Sequence, residues 1–184
     1  PAGTIAPLAG RDGVCFVGGF RHPPNADAIR WFVETTWPRV LAAVPDARLD
    51  IVGSHMPADI RALGELPGVR AVGFVEDLEG FLARRRLTIA PLRYGAGAKG
   101  KVAASLAQGV PAVCTPVAAE GMLLSPGEDV LVGETPEALA DHVIALLRDD
   151  ALWQRLSAAG LDYARRVTSR DSARERLRAL LDAR

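Results

Sequence analysis

The sequence predicts an α/β protein: a doubly wound parallel sheet with helices on both faces and further helices at its C-terminal end. Short apolar runs and amphipathic segments alternate about five times, the pattern of strand–helix–strand units. Each apolar run is only a few residues long and ends at Gly, Pro or a polar residue, as buried strands do. Beyond residue 135 the alternation stops and the chain turns helical.

Residues 1–12 lack periodicity and read as a linker or incoming segment. "GVCFVG" (13–18) is a buried strand closing at Gly18-Gly19. In "NADAIRWFVETTWPRVLAAV" (25–44) Ile29, Phe32 and Val33, then Val40, Leu41 and Val44, recur at helical spacing. Pro23-Pro24 suits the helix entry, and Pro38 predicts a kink or break partway. "ARLDIVG" (47–53) is the next strand, "PADIRALGEL" (57–66) a short helix, "VRAVGFV" (69–75) a strand, and "DLEGFLARR" (77–85) a short helix with Asp77 near its start. "LTIAPL" (87–92) is a strand that runs into "RYGAGAKGK", after which "KGKVAASLAQG" (99–109) reads as a helix closed by Gly109. "VPAVCT" (110–115) and the weaker "DVLVG" (129–133) complete the strands. Thr135 as N-cap, with Pro136 and Glu137 behind it, opens a helix over 135–150. Helices over 151–167 and 169–184 follow, their arginines alternating with acids on a solvated face.

These elements define a Rossmann-like domain over residues 13–150, with 151–184 as its helical extension. In such sheets ligands bind beyond the carboxyl ends of the strands. Two glycine-rich loops sit at such ends: Gly18-Gly19, and the stretch around Gly95, Gly97 and Gly100.

The 184 residues carry 22 basic and 22 acidic side chains, so no whole-protein field favours nucleic acid or an anionic membrane, and any anion site must be local. No run reaches the ~18 apolar residues of a membrane span. Cys15 and Cys114 lie inside apolar runs and read as buried thiols, which points to a reducing compartment.

The stretch "RYGAGAKGK" (93–101) holds the only two lysines in the chain, Lys99 and Lys101. It matches most of a P-loop, but the Ser or Thr that would hold Mg²⁺ is Val102. It also matches G-x-G-x-x-G, but it follows the fourth strand instead of the first, and no acid closes the next strand. A third reading needs neither. Glycines let the backbone approach an anion, the following helix points its positive end at the same spot, and Lys99, Lys101 and Arg93 add charge. That is a phosphate or diphosphate cradle without a metal. The plain alternative is a glycine-rich turn with solvated lysines.

"FVGGFRHPPNADAIRWF", "ARLDIVG" and "VRAVGFVEDLEGFLARRRLTIAPLRYGAGAKGKVAASLAQGVPAVCTPVAAEGM" together resemble the C-terminal half of GT-B glycosyltransferases of the retaining group 1 type (family GT4), in order from about Cys15 to about Asp182. The resemblance implies two Rossmann-like domains facing a cleft, the C-terminal one binding a nucleotide-sugar donor, usually a UDP- or GDP-sugar. The acceptor would sit on an N-terminal domain beyond this chain, and no cofactor or metal would be tightly bound. It implies that Gly18, Gly19, Gly95, Gly97, Lys99 and Lys101 face the donor diphosphate. Glu120, Gly121 and Met122 would lie near the sugar or ribose, and the loop at Phe74 and Val75 near the base. A cytoplasmic protein is implied, with any peripheral membrane contact made by the absent part.

The chain also departs from the family pattern. The E-x7-E pair of many members falls on Ala96 and Ala104, and the usual basic pair after the first strand falls on Gly19 and Asn25. Some branches with a similar glycine loop also lack the second glutamate. Lys99, Lys101, Arg93 and Arg21 are the expected substitutes for the missing charge, with Lys99 and Lys101 stabilising the leaving diphosphate. His22 is either solvated or a donor contact, and Glu120 either meets sugar hydroxyls or caps a helix. His55 and His142 lack metal-ligand spacing and read as structural or surface residues. Trp31, Trp37 and Trp153 read as packing residues. Two other readings stay open: a degenerate module that binds nucleotide or a protein partner without catalysis, and a nucleotide-sugar epimerase-like domain, for which few catalytic acids are visible.

Overall fold

The computed structural model describes residues 8–95 and 100–168. Gly97, Lys99, Ala96 and the expected helix over 169–184 lie outside the described residues.

Six parallel strands form one sheet: β1 (Asp12–Val17), β2 (Leu49–Val52), β3 (Val69–Gly73), β4 (Arg85–Ala90), β5 (Ala112–Cys114) and β6 (Leu131–Val132). Their order is β3-β2-β1-β4-β5-β6, so the chain reverses its winding between β1 and β4, where doubly wound sheets open a crevice. In β1, Val14 and Cys15 pair with Leu49 and Asp50 of β2 on one side and with Leu87 and Thr88 of β4 on the other. Both edges of β1 are thus closed, and its middle residues Val14, Cys15 and Phe16 are fully buried.

Successive strand residues face opposite sides of a sheet. Val14 and Phe16 pack with Ile29 and Phe32 of α1 (Pro23–Thr35) in the main core. Cys15 packs with Leu82 of α4 (Leu78–Leu82), and Ala104 of α5 (Gly100–Ala107) joins that smaller cluster. Helices therefore cover both faces, as the apolar runs predict. Both cysteines are free and buried, and loss of solvation pushes each thiol up to about 12.

The break expected near Pro38 is present. The helix breaks at Thr36, and α2 (Trp37–Ala43) starts one residue before the proline. Pro38 thus sits in a first turn, where its missing N–H has no partner to lose. Residues 57–66 divide into α3 (Ala58–Ala62) and a 3₁₀ turn (Leu63–Glu65). A short helix that the sequence pattern did not suggest, α6 (Pro116–Ala119), follows β5 directly.

Asp77 and Thr135 cap as expected: their side chains accept from the amides of Gly80 and Ala138, the latter opening α7 (Pro136–Arg148). Asp149 caps α8 (Asp150–Tyr163) by accepting from Leu152 N, and Ala164–Thr168 continue as a π-helical turn. Trp37 and Trp153 are buried, their indole N–H groups donating to the carbonyls of Pro67 and Arg86. His142 is structural, with Nε2 3.1 Å from Val132 O. No helix among the described residues is long and apolar enough to cross a membrane.

Candidate functional site: the mouth of the sheet between β1 and β4

The Gly18-Gly19 loop leaves β1 under tight constraint. Gly18 N donates to Val52 O at 2.9 Å and Phe20 N to Ser54 O at 3.0 Å, so the loop is hydrogen-bonded to the segment that leaves β2. A Cβ on Gly18 would come within 2.9 Å of both the Asn25 side chain and the Phe16 ring. A Cβ on Gly53 would lie 1.7 Å from Gly18 O. Two glycines in contact across β1 and β2 let the loop run close to the sheet.

Asn25, in the first turns of α1, is buried and donates through Nδ2 to Gly19 O at 2.9 Å. Its Oδ1 accepts a hydrogen bond from the ammonium of Lys101. Lys101 Nζ also lies 4.8 Å from the centre of the Phe16 ring, a cation–π contact. Lys101 is the second residue of α5 and half-buried. It borders a small cavity with Val17, Ile89 and Ala90, the last residues of β1 and β4. Its charge therefore sits at the seam between β1 and β4, turned in toward the Gly18-Gly19 loop. Asn25, which sequence reasoning noted only as a lost basic position, ties the lysine to that loop.

Arg93 lies on the segment leaving β4 and is committed to α1. Its Nε and Nη2 donate to the two oxygens of Asp27, the Nε–Oδ2 distance being 2.9 Å. Its guanidinium carbon is 5.7 Å from the Trp31 ring centre. The hydrogen bond to Asp27 raises the Arg93 pKa, fixing it as a cation. Gly95 takes φ +125°, and a Cβ there would meet Pro24 at 3.6 Å. Arg21 and His22 are exposed in the turn before α1, His22 in the N-cap position without a capping hydrogen bond from its side chain.

The remaining site candidates are spread along the same edge of the sheet. Phe74, just beyond β3, is 74% exposed, while Val75 is half-buried against the Cys15 cluster. Glu120 is exposed and borders a groove of about 730 Å³ with Pro116, Val117, Pro126 and Glu134 beyond β5 and β6. Gly121 is exposed with φ +73°. Met122 is core instead of surface: it is 5% exposed, and its carbonyl accepts from Tyr163 Oη. The structure thus brings Gly18, Gly19 and Lys101 together, sets Arg93 and Gly95 against the same helix α1, and leaves Glu120 and Gly121 further along the edge. Among the described residues no group of three His, Cys, Asp or Glu side chains is placed to hold a metal ion.

A six-stranded parallel sheet wound both ways from its switch point, with helices on both faces, defines a Rossmann-like domain. Residues 11–149 match the family model for glycosyl transferases group 1, and the chain belongs to that family. It is 30% identical over 159 residues to phosphatidyl-myo-inositol mannosyltransferase of Mycobacterium leprae, covering 83% of this chain and 42% of that protein. Among solved structures it superposes on TarM with a TM-score of 0.78 at 14% identity, covering 96% of this chain and 36% of that one. Anabaena HepE in complex with UDP-glucose matches with a TM-score of 0.69 at 15% identity, covering 96% of this chain and 50% of that one. The sheet and its flanking helices are those of these GT-B glycosyltransferases. The chain spans less than half the length of the mannosyltransferase it matches.

Proposed function

We infer that this chain is the donor-binding half of a retaining glycosyltransferase of the GT4 type, holding a UDP- or GDP-sugar whose diphosphate lies across the seam between β1 and β4. The observation that carries this reading is Lys101: the ammonium is drawn to the Gly18-Gly19 loop through Asn25 instead of projecting into solvent. Gly18 and Gly19 bring backbone close to the anion, and α5 directs its positive N-terminal end toward the same place. Gly95, Gly97 and Lys99 complete the cradle. Glu120 and Gly121 meet the sugar, and Phe74 with Val75 meets the base.

The chemistry expected of such a site is electrostatic. As the glycosidic bond breaks, negative charge gathers on the departing nucleoside diphosphate, and a preorganised ammonium with backbone amides stabilises it without metal. The acceptor binds a second, N-terminal domain, so this chain alone turns nothing over. A cytoplasmic location fits a nucleotide-sugar donor. The experiment is a thermal-shift panel of nucleoside mono- and diphosphates and nucleotide-sugars, run with EDTA present. Stabilisation by UDP or GDP and by one of their sugars is the expected outcome. A flat panel would favour the second reading, a degenerate interaction module, for which the alanines at 96 and 104 are the motivation.

A further inference from the structure

Arg93 has a partner in place, and that partner changes what the arginine does. Pro24, Asp27 and Trp31 are three and four residues apart along α1 and therefore share one helix face. Each touches the segment that leaves β4. Pro24 lies beside Gly95, Asp27 takes the Nε and Nη2 of Arg93, and Trp31 lies beneath the guanidinium. At the other end of that segment, Lys101 is tied to Asn25 in the same first turns of α1. The helix itself is anchored, because Ile29 and Phe32 are fully buried. The first turns of α1 therefore contact Gly19, Gly95 and Lys101.

An ion pair this open stabilises a fold little: the Arg93 and Asp27 side chains are 48% and 22% exposed. Its geometry is nevertheless specific, a two-pronged charge-assisted pair stacked on an indole. We propose that Asp27 and Arg93 form a positioning clasp: Arg93 acts on donor binding through Asp27, by holding residues 93–95 at the exit of β4 against α1, and not as a direct phosphate ligand. The proposal rests on the donor-binding reading and deepens it.

The two roles of Arg93 predict opposite effects of one substitution. If Arg93 touched the diphosphate, Asp27→Asn would free it and UDP or GDP would bind as well or better. In a clasp, Asp27→Asn weakens the diphosphate by about tenfold, as does Arg93→Gln, since both forfeit preorganisation. The double variant is then no worse than either single one. Arg93→Lys, which keeps charge but loses the fork, also weakens binding, and the exchange Asp27→Arg with Arg93→Asp restores part of it.

The measurement is titration calorimetry of UDP and GDP on the full chain and these variants, with uridine and guanosine followed by ligand-detected NMR. The nucleosides lack the diphosphate, so their binding stays unchanged if the clasp acts on the loop. Circular dichroism confirms that each variant is folded. Unchanged or tighter diphosphate binding by Asp27→Asn, additive losses in the double variant, or equal loss of the nucleosides would each overturn the clasp alone. A parent chain that binds neither UDP nor GDP would overturn the donor reading, and the clasp with it.

Discussion

Gly53 shows how a single hydrogen atom in place of a methyl group can set a site. Its missing Cβ makes room for Gly18 O, which would otherwise lie 1.7 Å away, and its own N–H donates to Gly73 O at 2.8 Å. Neither Gly18 nor Gly53 can shift without disturbing the exit of β1. Gly53→Ala should therefore cost about 3 kcal/mol, seen as a lower urea midpoint with unchanged slope. Retention of the parent midpoint would show that the two loops can separate. Asp129 supplies a second case. It is 5% exposed, and its Oδ1 accepts from Ser125 N at 2.9 Å. Burial raises the pKa of its carboxyl above the ordinary range. With the folded pKa above the unfolded one, stability is lost as pH rises from the unfolded value, about 4, through the folded value. Asp129→Asn, which keeps the acceptor, should raise Tm at pH 8, and the gain should vanish below about pH 4. A gain independent of pH would assign the effect to something other than ionisation. None of this was legible in the sequence, where Gly53 ends an apolar run and Asp129 begins one.

At the scale of elements, most strands and caps were legible because they follow from local rules. Asp77 and Thr135 cap where a side-chain oxygen precedes a helical run, and the apolar runs became strands. The α1–α2 break was legible from Pro38, which sits in the first turn of α2, where proline is tolerated. Thr36, at that break, is fully buried, and its hydroxyl has no hydrogen-bond partner among the described residues. Thr36→Val removes an unsatisfied polar group while keeping shape, and should stabilise the fold by about 1 kcal/mol. A destabilised variant on chemical denaturation would mean that the hydroxyl is satisfied in solution. The helix α6 escaped notice because four residues are too few to show a period.

At the scale of the whole molecule, the two ends of the sheet differ. At the amino ends of the strands, Asp50 is 3% exposed; its oxygens accept from Arg70 Nε and Nη2, each at 2.8 Å, and from Arg85 Nη1 at 2.9 Å. Two guanidinium groups there share one buried carboxylate. At the carboxyl ends lie Gly18, Gly19, Gly95 and Lys101, with Phe74 and Tyr94 exposed beyond β3 and β4. The formal charge of zero conceals this separation, because composition averages over space. That Gly18-Gly19 and the segment starting at Arg93 leave neighbouring strands was legible all the same, since a doubly wound topology brings β1 and β4 side by side. The partners of the charges there were not legible: Asn25 for Lys101 and Asp27 for Arg93 are 76 and 66 residues away in the chain, and only the fold makes them neighbours.

The central claim, that an ammonium and backbone amides at this seam grip a pyrophosphate, is tested most directly by calorimetry of UDP and GDP with the parent chain and Lys101→Ala in EDTA. The expected result is saturable one-to-one binding of one diphosphate to the parent and a loss of about tenfold or more in the variant. Equal affinities in the two proteins, or binding that appears only when magnesium is added, would contradict it.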